Sequence, residues 1–220
     1  MLVEVWSDVV CPWCYIGKRR FERAVELLAD DDSFQHRIDV VFRPFQLDPK
    51  APPGTAMPVA DAYARKFGGP ERAAAIIDHV SAVAAAEGLD FHLERARRAN
   101  TRDAHRLLSF AFEHGPVGSQ AALKERLLAA YFVDGEDVGD HDVLVAAAVE
   151  AGLDGEEVRA HLATNAGLAE LQAELAAAAG IAAVPTYVID GRFSIPGAQD
   201  PDVFAQVIRR VAAQASERAG

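Results

Sequence analysis

The chain opens on an apolar run, Leu2 to Trp6, with Val3 and Val5 on one face. A period of two over so short a run predicts a buried strand. Ser7 to Val10 reads as a loop, and the period then turns helical. Ile16, Phe21, Ala24, Val25 and Leu28 share a face. Pro12 suits the first turn, where its missing N–H would be unpaired in any case. This helix is expected to run to about Leu28 and stop in the Asp30-Asp31-Asp32 cluster. Ile38 to Phe42 reads as a second strand, ended by Pro44. Pro49, Pro52 and Pro53 make Leu47 to Gly54 extended and irregular, which places a domain boundary there.

From Pro58 to about Ala163 the spacing is helical, punctuated by Gly68-Gly69-Pro70, Gly88, Gly115-Pro116, Gly135 and Gly152. Ile76, Ile77, Val80, Val83 and Ala84 mark one helix. Ala104, Leu107, Leu108 and Ala111 mark the next, with Asn100 or Thr101 as its cap and Gly115 at its close. Leu123, Leu127, Leu128 and Tyr131 mark a third, and shorter helices are expected at Val143 to Val149 and Val158 to Leu162. A further helix, Gly167 to Ala179, precedes the return of strands. There Tyr187-Val188-Ile189 and Arg192-Phe193-Ser194-Ile195 flank Asp190-Gly191, a strong two-residue hairpin signal. A final helix spans about Asp202 to Ala213. Setting aside 51–164 as a helical insertion leaves strand, helix, strand, helix, hairpin and helix in 1–50 and 165–220. That order fits an α/β fold with a mixed sheet, interrupted by an all-helical domain.

Charge narrows the function classes. The 220 residues carry a formal net charge of −11. That argues against nucleic acid as a partner, because binding it needs a basic patch that displaces counterions. It argues equally against docking on an anionic membrane. No apolar run approaches the roughly 18 residues of a membrane span. Glu4 and Asp8 within the first ten residues do not suit a secretory leader. A cytoplasmic location is the expectation, and there a cysteine pair is more often catalytic or metal-binding than a structural staple.

Both cysteines lie in Cys11-Pro12-Trp13-Cys14, at the junction of the first strand and helix. Three residues apart on one turn, they are neighbours that can close a disulfide. Cys11 sits near the free N–H groups and the positive end of the helix dipole, which favour its thiolate, so it is the expected nucleophile. Cys14, one turn deeper, is the expected resolving thiol. Trp13 brings no charge, and the helix terminus is left as the main local source of thiolate stabilisation. Zinc would need four ligands, but there is no third cysteine and no two of the seven histidines have ligand spacing. Neither a metal nor a cofactor is expected.

Around the pair, Glu4 is a candidate carboxylate to take the proton of Cys14, the alternative being a strand-end residue that reaches solvent. Asp8 is expected to satisfy loop N–H groups. Lys18, Arg19 and Arg20 read as a solvated face, Phe42, Phe45 and Phe67 as core, and Trp13 as exposed beside the thiol. Val184-Pro185 opens a strand, and on the residues alone Pro185 reads as trans.

Three separated stretches carry a resemblance: Ser7-Asp8-Val9-Val10-Cys11-Pro12-Trp13-Cys14-Tyr15-Ile16-Gly17, Val184-Pro185-Thr186-Tyr187-Val188-Ile189, and Gly197-Ala198-Gln199. Together they resemble the DsbA-like thioredoxin family. Phe45-Gln46-Leu47-Asp48-Pro49, the segment Asn100 to Arg106 and Tyr131-Phe132 resemble its FrnE-like branch. The resemblance implies a thioredoxin-like fold with a helical insertion, and a dithiol–disulfide oxidoreductase acting on protein or small-molecule disulfides. It implies a cis Pro185 facing Cys11, with the Val184 backbone contacting substrate and tuning the disulfide. Periplasmic DsbA proteins usually have a His between the cysteines, where this chain has Pro12 and Trp13, and they carry a signal peptide, which is not expected here. Expected partners are a disulfide- or dithiol-bearing protein or small molecule, a low-molecular-weight thiol, and a second copy of the chain in a homodimer. The rival readings are a kappa-class glutathione-transferase-like or isomerase-like enzyme, and a redox-switched binding module or chaperone.

Overall fold

The computed structural model describes residues 1–219, with side chains through residue 215. Strand β1, Leu2–Ser7, buries Val3, Val5 and Ser7 in strict alternation. It pairs in parallel with β2, Asp39–Pro44, in a register that sets Val3 beside Val40 and Val5 beside Phe42. On its other edge it pairs antiparallel with β3, Thr186–Ile189, which forms a hairpin with β4, Phe193–Pro196. The sheet order is β2-β1-β3-β4. The hairpin turn has positive φ at both central residues, 48° at Asp190 and 66° at Gly191, as a type I′ turn demands. Asp190 Oδ1 also accepts from the Leu2 N–H at 2.7 Å, tying the turn to the start of β1.

Helix α1, Pro12–Ala29, and helix α9, Pro201–Ala219, cover one face of this sheet. The core between them holds Val3, Val5, Phe21, Leu28, Tyr187, Phe204 and Ile208. Phe21 stacks on Tyr187 with ring centroids 5.0 Å apart. Helix α8, Leu168–Ala177, packs against β2.

Between β2 and α8 lie α2 (Val59–Phe67), α3 (Pro70–Ala86), α4 (Arg102–His114), α5 (Ser119–Ala129), α6 (His141–Glu150) and α7 (Gly155–Leu162). Asn100 Oδ1 accepts from the Arg102 N–H at 3.0 Å at the start of α4, whereas Thr101 makes no capping bond. Helix α5 ends in a π-helical turn, Ala130–Asp134, that buries Tyr131 and Phe132. The core of these helices includes Leu107, Leu123, Leu127, Phe132 and Leu144, and it extends to Val9, Tyr15 and Ile16 around the cysteines. The reactive turn is therefore clasped from two sides, by the sheet and by the helical insertion.

Two expectations are corrected. Lys18, Arg19 and Arg20 are not a solvated face. Lys18 and Arg19 both reach Glu125 of α5, at 2.5 and 2.7 Å, and Arg20 reaches Glu87 after α3 at 2.6 Å. These pairs rivet α1 to the insertion. Phe67, the last residue of α2, is 38 % exposed rather than core.

Candidate functional site

Cys11 is the N-cap of α1, with φ −95° and ψ 114°. Its carbonyl accepts from the N–H groups of Cys14 at 3.0 Å and Tyr15 at 3.4 Å, so the first helical turn is built on the nucleophile candidate itself. Both cysteines are free thiols and both are buried. Cys11 Sγ lies 3.7 Å from the Val184 carbonyl oxygen, to which its S–H points. The Val184–Pro185 peptide bond is cis. Pro185 thus sits opposite Cys11, and its own carbonyl accepts from the Gly197 N–H at 2.7 Å. Gly17 makes this approach feasible. A Cβ there would stand 2.9 Å from the Pro185 ring and 2.8 Å from Tyr187 Oη.

Burial pushes the Cys14 thiol well above its usual range, and the hydrogen bond and charge of Cys11 add to the rise. Two features oppose it: the charge of Lys124 on α5 and the backbone N–H of Asp8. Asp8 is fully buried. Its Oδ1 accepts from the Val9 N–H at 2.8 Å and lies 3.0 Å from His105 Nε2, while Oδ2 accepts from the Leu47 N–H at 2.8 Å. One carboxylate therefore holds the loop before α1, the stretch after β2 and helix α4 together.

A cavity of about 610 Å³ opens over Cys11, Pro12, Trp13 and Val184. Val59, Ile76, Val80 and Tyr131 form apolar wall, and Arg65, Lys66, Asp48 and Arg98 supply its charges. Asp48 is matched to Arg98 at 2.6 Å, whose hydrogen bond holds the Asp48 carboxyl below the usual carboxylate pKa range. Arg65 and Lys66 make no ion pair among the described residues, and Lys66 Nζ lies over the Phe67 ring at 5.6 Å. Tyr63, also on the wall, has its phenol pushed up to about 12 by burial and by the charge of Cys11. Trp13 is half-buried, its ring 6.0 Å from that of His79.

A protein-family model matches nearly the whole chain. The DSBA-like thioredoxin domain covers residues 2–209. The chain belongs to that family. Protein YwbO of Bacillus subtilis, which is uncharacterized, is 30% identical over 213 residues, 94% of each chain. The probable DsbA oxidoreductase from Streptomyces coelicolor is 40% identical, with a TM-score of 0.83 over 97% of this chain and 90% of that one. The cytosolic disulfide reductase DsbM of Pseudomonas aeruginosa shares the fold at 21% identity, with a TM-score of 0.63 over 97% of this chain and all of its own. DsbM has also been solved with GSH.

Within this DsbA-like frame, Cys11, Cys14, Pro12, Trp13, Val184 and Pro185 lie together, and Glu4 does not join them. Its carboxylate accepts from Arg43 Nε at 2.8 Å, and Arg43 bridges on to Glu174 of α8 at 2.6 Å. The neighbouring strand supplies the partner, so Glu4 is spent on an ion pair between β1, β2 and α8. In its place the structure brings Lys124 towards the cysteines and sets His105 against Asp8. Both come from the insertion and stand about a hundred residues from the motif. Lys124 lies between Leu123 and Leu127 on a helix whose periodicity gives no hint that a charge is buried. The resemblance had marked Asn100 to Arg106 as a matching segment, the only signal that pointed at His105.

Proposed function

We propose that this protein is a dithiol–disulfide oxidoreductase in which Cys11 is the nucleophile and Cys14 the resolving thiol. The observation that carries the reading is the placement of Cys11: at the N-cap of α1, 3.7 Å from the Val184 carbonyl, at the floor of a cavity, with Cys14 one turn behind. Free N–H groups and the positive helix end stabilise negative charge there. In the first step the Cys11 thiolate attacks one sulfur of a substrate disulfide, and the other sulfur leaves as a thiolate. In the second, Cys14 attacks Cys11 Sγ, and the substrate's remaining sulfur leaves. The protein ends as the Cys11–Cys14 disulfide and the substrate as two thiols. The same steps in reverse oxidise a dithiol. Val184 offers a backbone carbonyl where a substrate strand or amide would lie against Cys11.

The cavity supports a small, anionic disulfide as substrate. About 610 Å³ falls in the range of about 300–1,000 Å³ for small-molecule sites. Arg65 and Lys66 are cations on its wall that make no ion pair among the described residues, in a chain of net charge −11. A carboxylate-bearing low-molecular-weight thiol, joined as a disulfide to itself or to another molecule, meets both features. The GSH bound by DsbM is a molecule of that class.

The test is turnover of glutathione disulfide with an external dithiol reductant. The wild type should turn over, Cys11→Ser should be inactive, and Cys14→Ser should stop at a mixed disulfide on Cys11. Full activity in Cys11→Ser would overturn the reading.

A further inference from the structure

Behind the cysteines lies a lysine with no hydrogen-bond partner among the described residues; burial pushes its ammonium below the usual lysine range, and the charges of Cys14, Asp8 and Cys11 oppose that. Lys124 of α5 is 1 % exposed, and among the described residues its Nζ forms no hydrogen bond. Its one ring contact is Phe42, 5.8 Å away. A buried ammonium is costly unless something compensates it. The groups that face Lys124 are the thiols of Cys14 and Cys11, the carboxylate of Asp8, and Lys18 as an opposing like charge. Asp8 already has both oxygens engaged by Val9, His105 and Leu47. Glu125, next along α5, is taken by Lys18, Arg19 and Tyr15. Glu4 is held by Arg43. Of the groups whose negative charge would favour the Lys124 ammonium, Cys14 acts most strongly, ahead of Asp8 and Cys11.

We propose that Lys124 is the internal countercharge of Cys14, and that it stabilises the Cys14 thiolate in the resolving step. The proposal rests on the dithiol reading above. In the mixed disulfide, Cys11 Sγ is bonded to the substrate sulfur and carries no charge. Cys14 first gives up its proton to water, its thiolate Sγ then bonds to Cys11 Sγ, and the departing substrate sulfur takes up a proton in turn. The bond from Cys11 to the substrate breaks with its electron pair on the substrate sulfur. The products are the Cys11–Cys14 disulfide and one substrate thiol, and Lys124 keeps its own proton throughout. Burial opposes the Cys14 thiolate more than anything else, and the Lys124 charge is the larger of the two features that offset it. Tyr187 Oη, likewise buried and without a partner near the pair, is a neutral phenol with no charge to lend. Lys124 acts through Cys14 and is a positioning residue. It makes the insertion part of the chemistry rather than only a wall of the cavity.

The experiment uses the reduced full-length protein and 5,5′-dithiobis(2-nitrobenzoate), followed by stopped flow. One nitrothiobenzoate is released when Cys11 attacks and a second when Cys14 resolves. In Lys124→Met the second release should slow by about tenfold or more at neutral pH, with its pH midpoint raised by about one unit or more. The first release should slow by a smaller factor, and Lys124→Arg should restore most of the second. Lys124→Gln serves if the Met variant fails to fold. A second release with wild-type rate and midpoint, or both releases slowed by the same factor with an unmoved midpoint, would overturn the proposal. A wild type that releases only one equivalent overturns the dithiol reading itself, and this inference with it.

Discussion

Gly17 lies directly beneath Pro185: a Cβ on the glycine would come within 2.9 Å of the proline ring. The contact joins the second turn of α1 to the strand start opposite Cys11. On the same side Tyr187 Oη would stand 2.8 Å away and Ala198 Cβ 3.3 Å. Gly17→Ala therefore has to push apart two elements that both belong to the sheet core. The expected cost is about 1–3 kcal/mol, the usual range for overpacking. Urea unfolding of the variant checks this. Activity should fall further than stability, because the displaced neighbour is Pro185. Unchanged stability and turnover would show that α1 and β3 are not held in close register.

Asp8 accepts two backbone N–H groups and faces His105, the bonds to Val9 and His105 being buried and that to Leu47 part-buried. Asp8→Ala leaves those groups unpaired. Leaving a buried donor unpaired costs about 1–3 kcal/mol. The variant should unfold at clearly lower denaturant, while His105→Ala, which leaves both loop N–H bonds in place, should cost less. Equal losses in the two variants would mean that the loop bonds contribute nothing.

Arg65 and Lys66 line the cavity and make no ion pair among the described residues. The double variant Arg65→Glu, Lys66→Glu should raise KM for glutathione disulfide about tenfold or more, the effect of replacing attraction with repulsion near a partly desolvated site. The kcat should hold, because neither residue is near the sulfurs' exchange path. Turnover of the uncharged disulfide of 2-mercaptoethanol should be little altered. Equal losses on both substrates would place the two cations outside substrate recognition.

Much of the architecture was readable along the chain because it is local. The alternation in β1, the face of α1 and the Asp190-Gly191 turn are each set by a handful of consecutive residues. The chemistry of the pair was readable for the same reason, since Cys11 and Cys14 are one turn apart. What escaped the pattern depends on contacts across the fold. Glu4 looked free because Arg43 is brought beside it only by strand pairing. Lys18 and Arg19 looked solvated because Glu125 arrives from another domain's worth of sequence. The cis state of Pro185 followed from the family resemblance and not from the residue. His105 and Lys124 carried no local mark, because a buried polar residue on a helix is revealed only by what surrounds it.

Asp103, at the start of α4, titrates low. Burial works against its charge, but hydrogen bonds from Arg102, His141 and Arg106 outweigh that and bring it from 3.8 to about 2. A carboxylate whose folded value lies below its unfolded one stabilises the protein above the unfolded value. That stability is then lost as pH falls from about 3.8 through about 2. The contribution is about 1 kcal/mol after allowance for solvent screening. Melting curves of the wild type and Asp103→Asn should differ at pH 5 and converge near pH 2, and a constant difference across that range would rule out the charge as its source.

The most direct measurement is a redox titration of the full-length protein against mixtures of reduced and oxidised dithiothreitol, with mass spectrometry after quenching. The account predicts a single two-electron transition in which the protein loses two hydrogens, with Cys11 and Cys14 joined in one peptide pair. A protein that stays a dithiol at every ratio, or that forms only intermolecular disulfides, would contradict it.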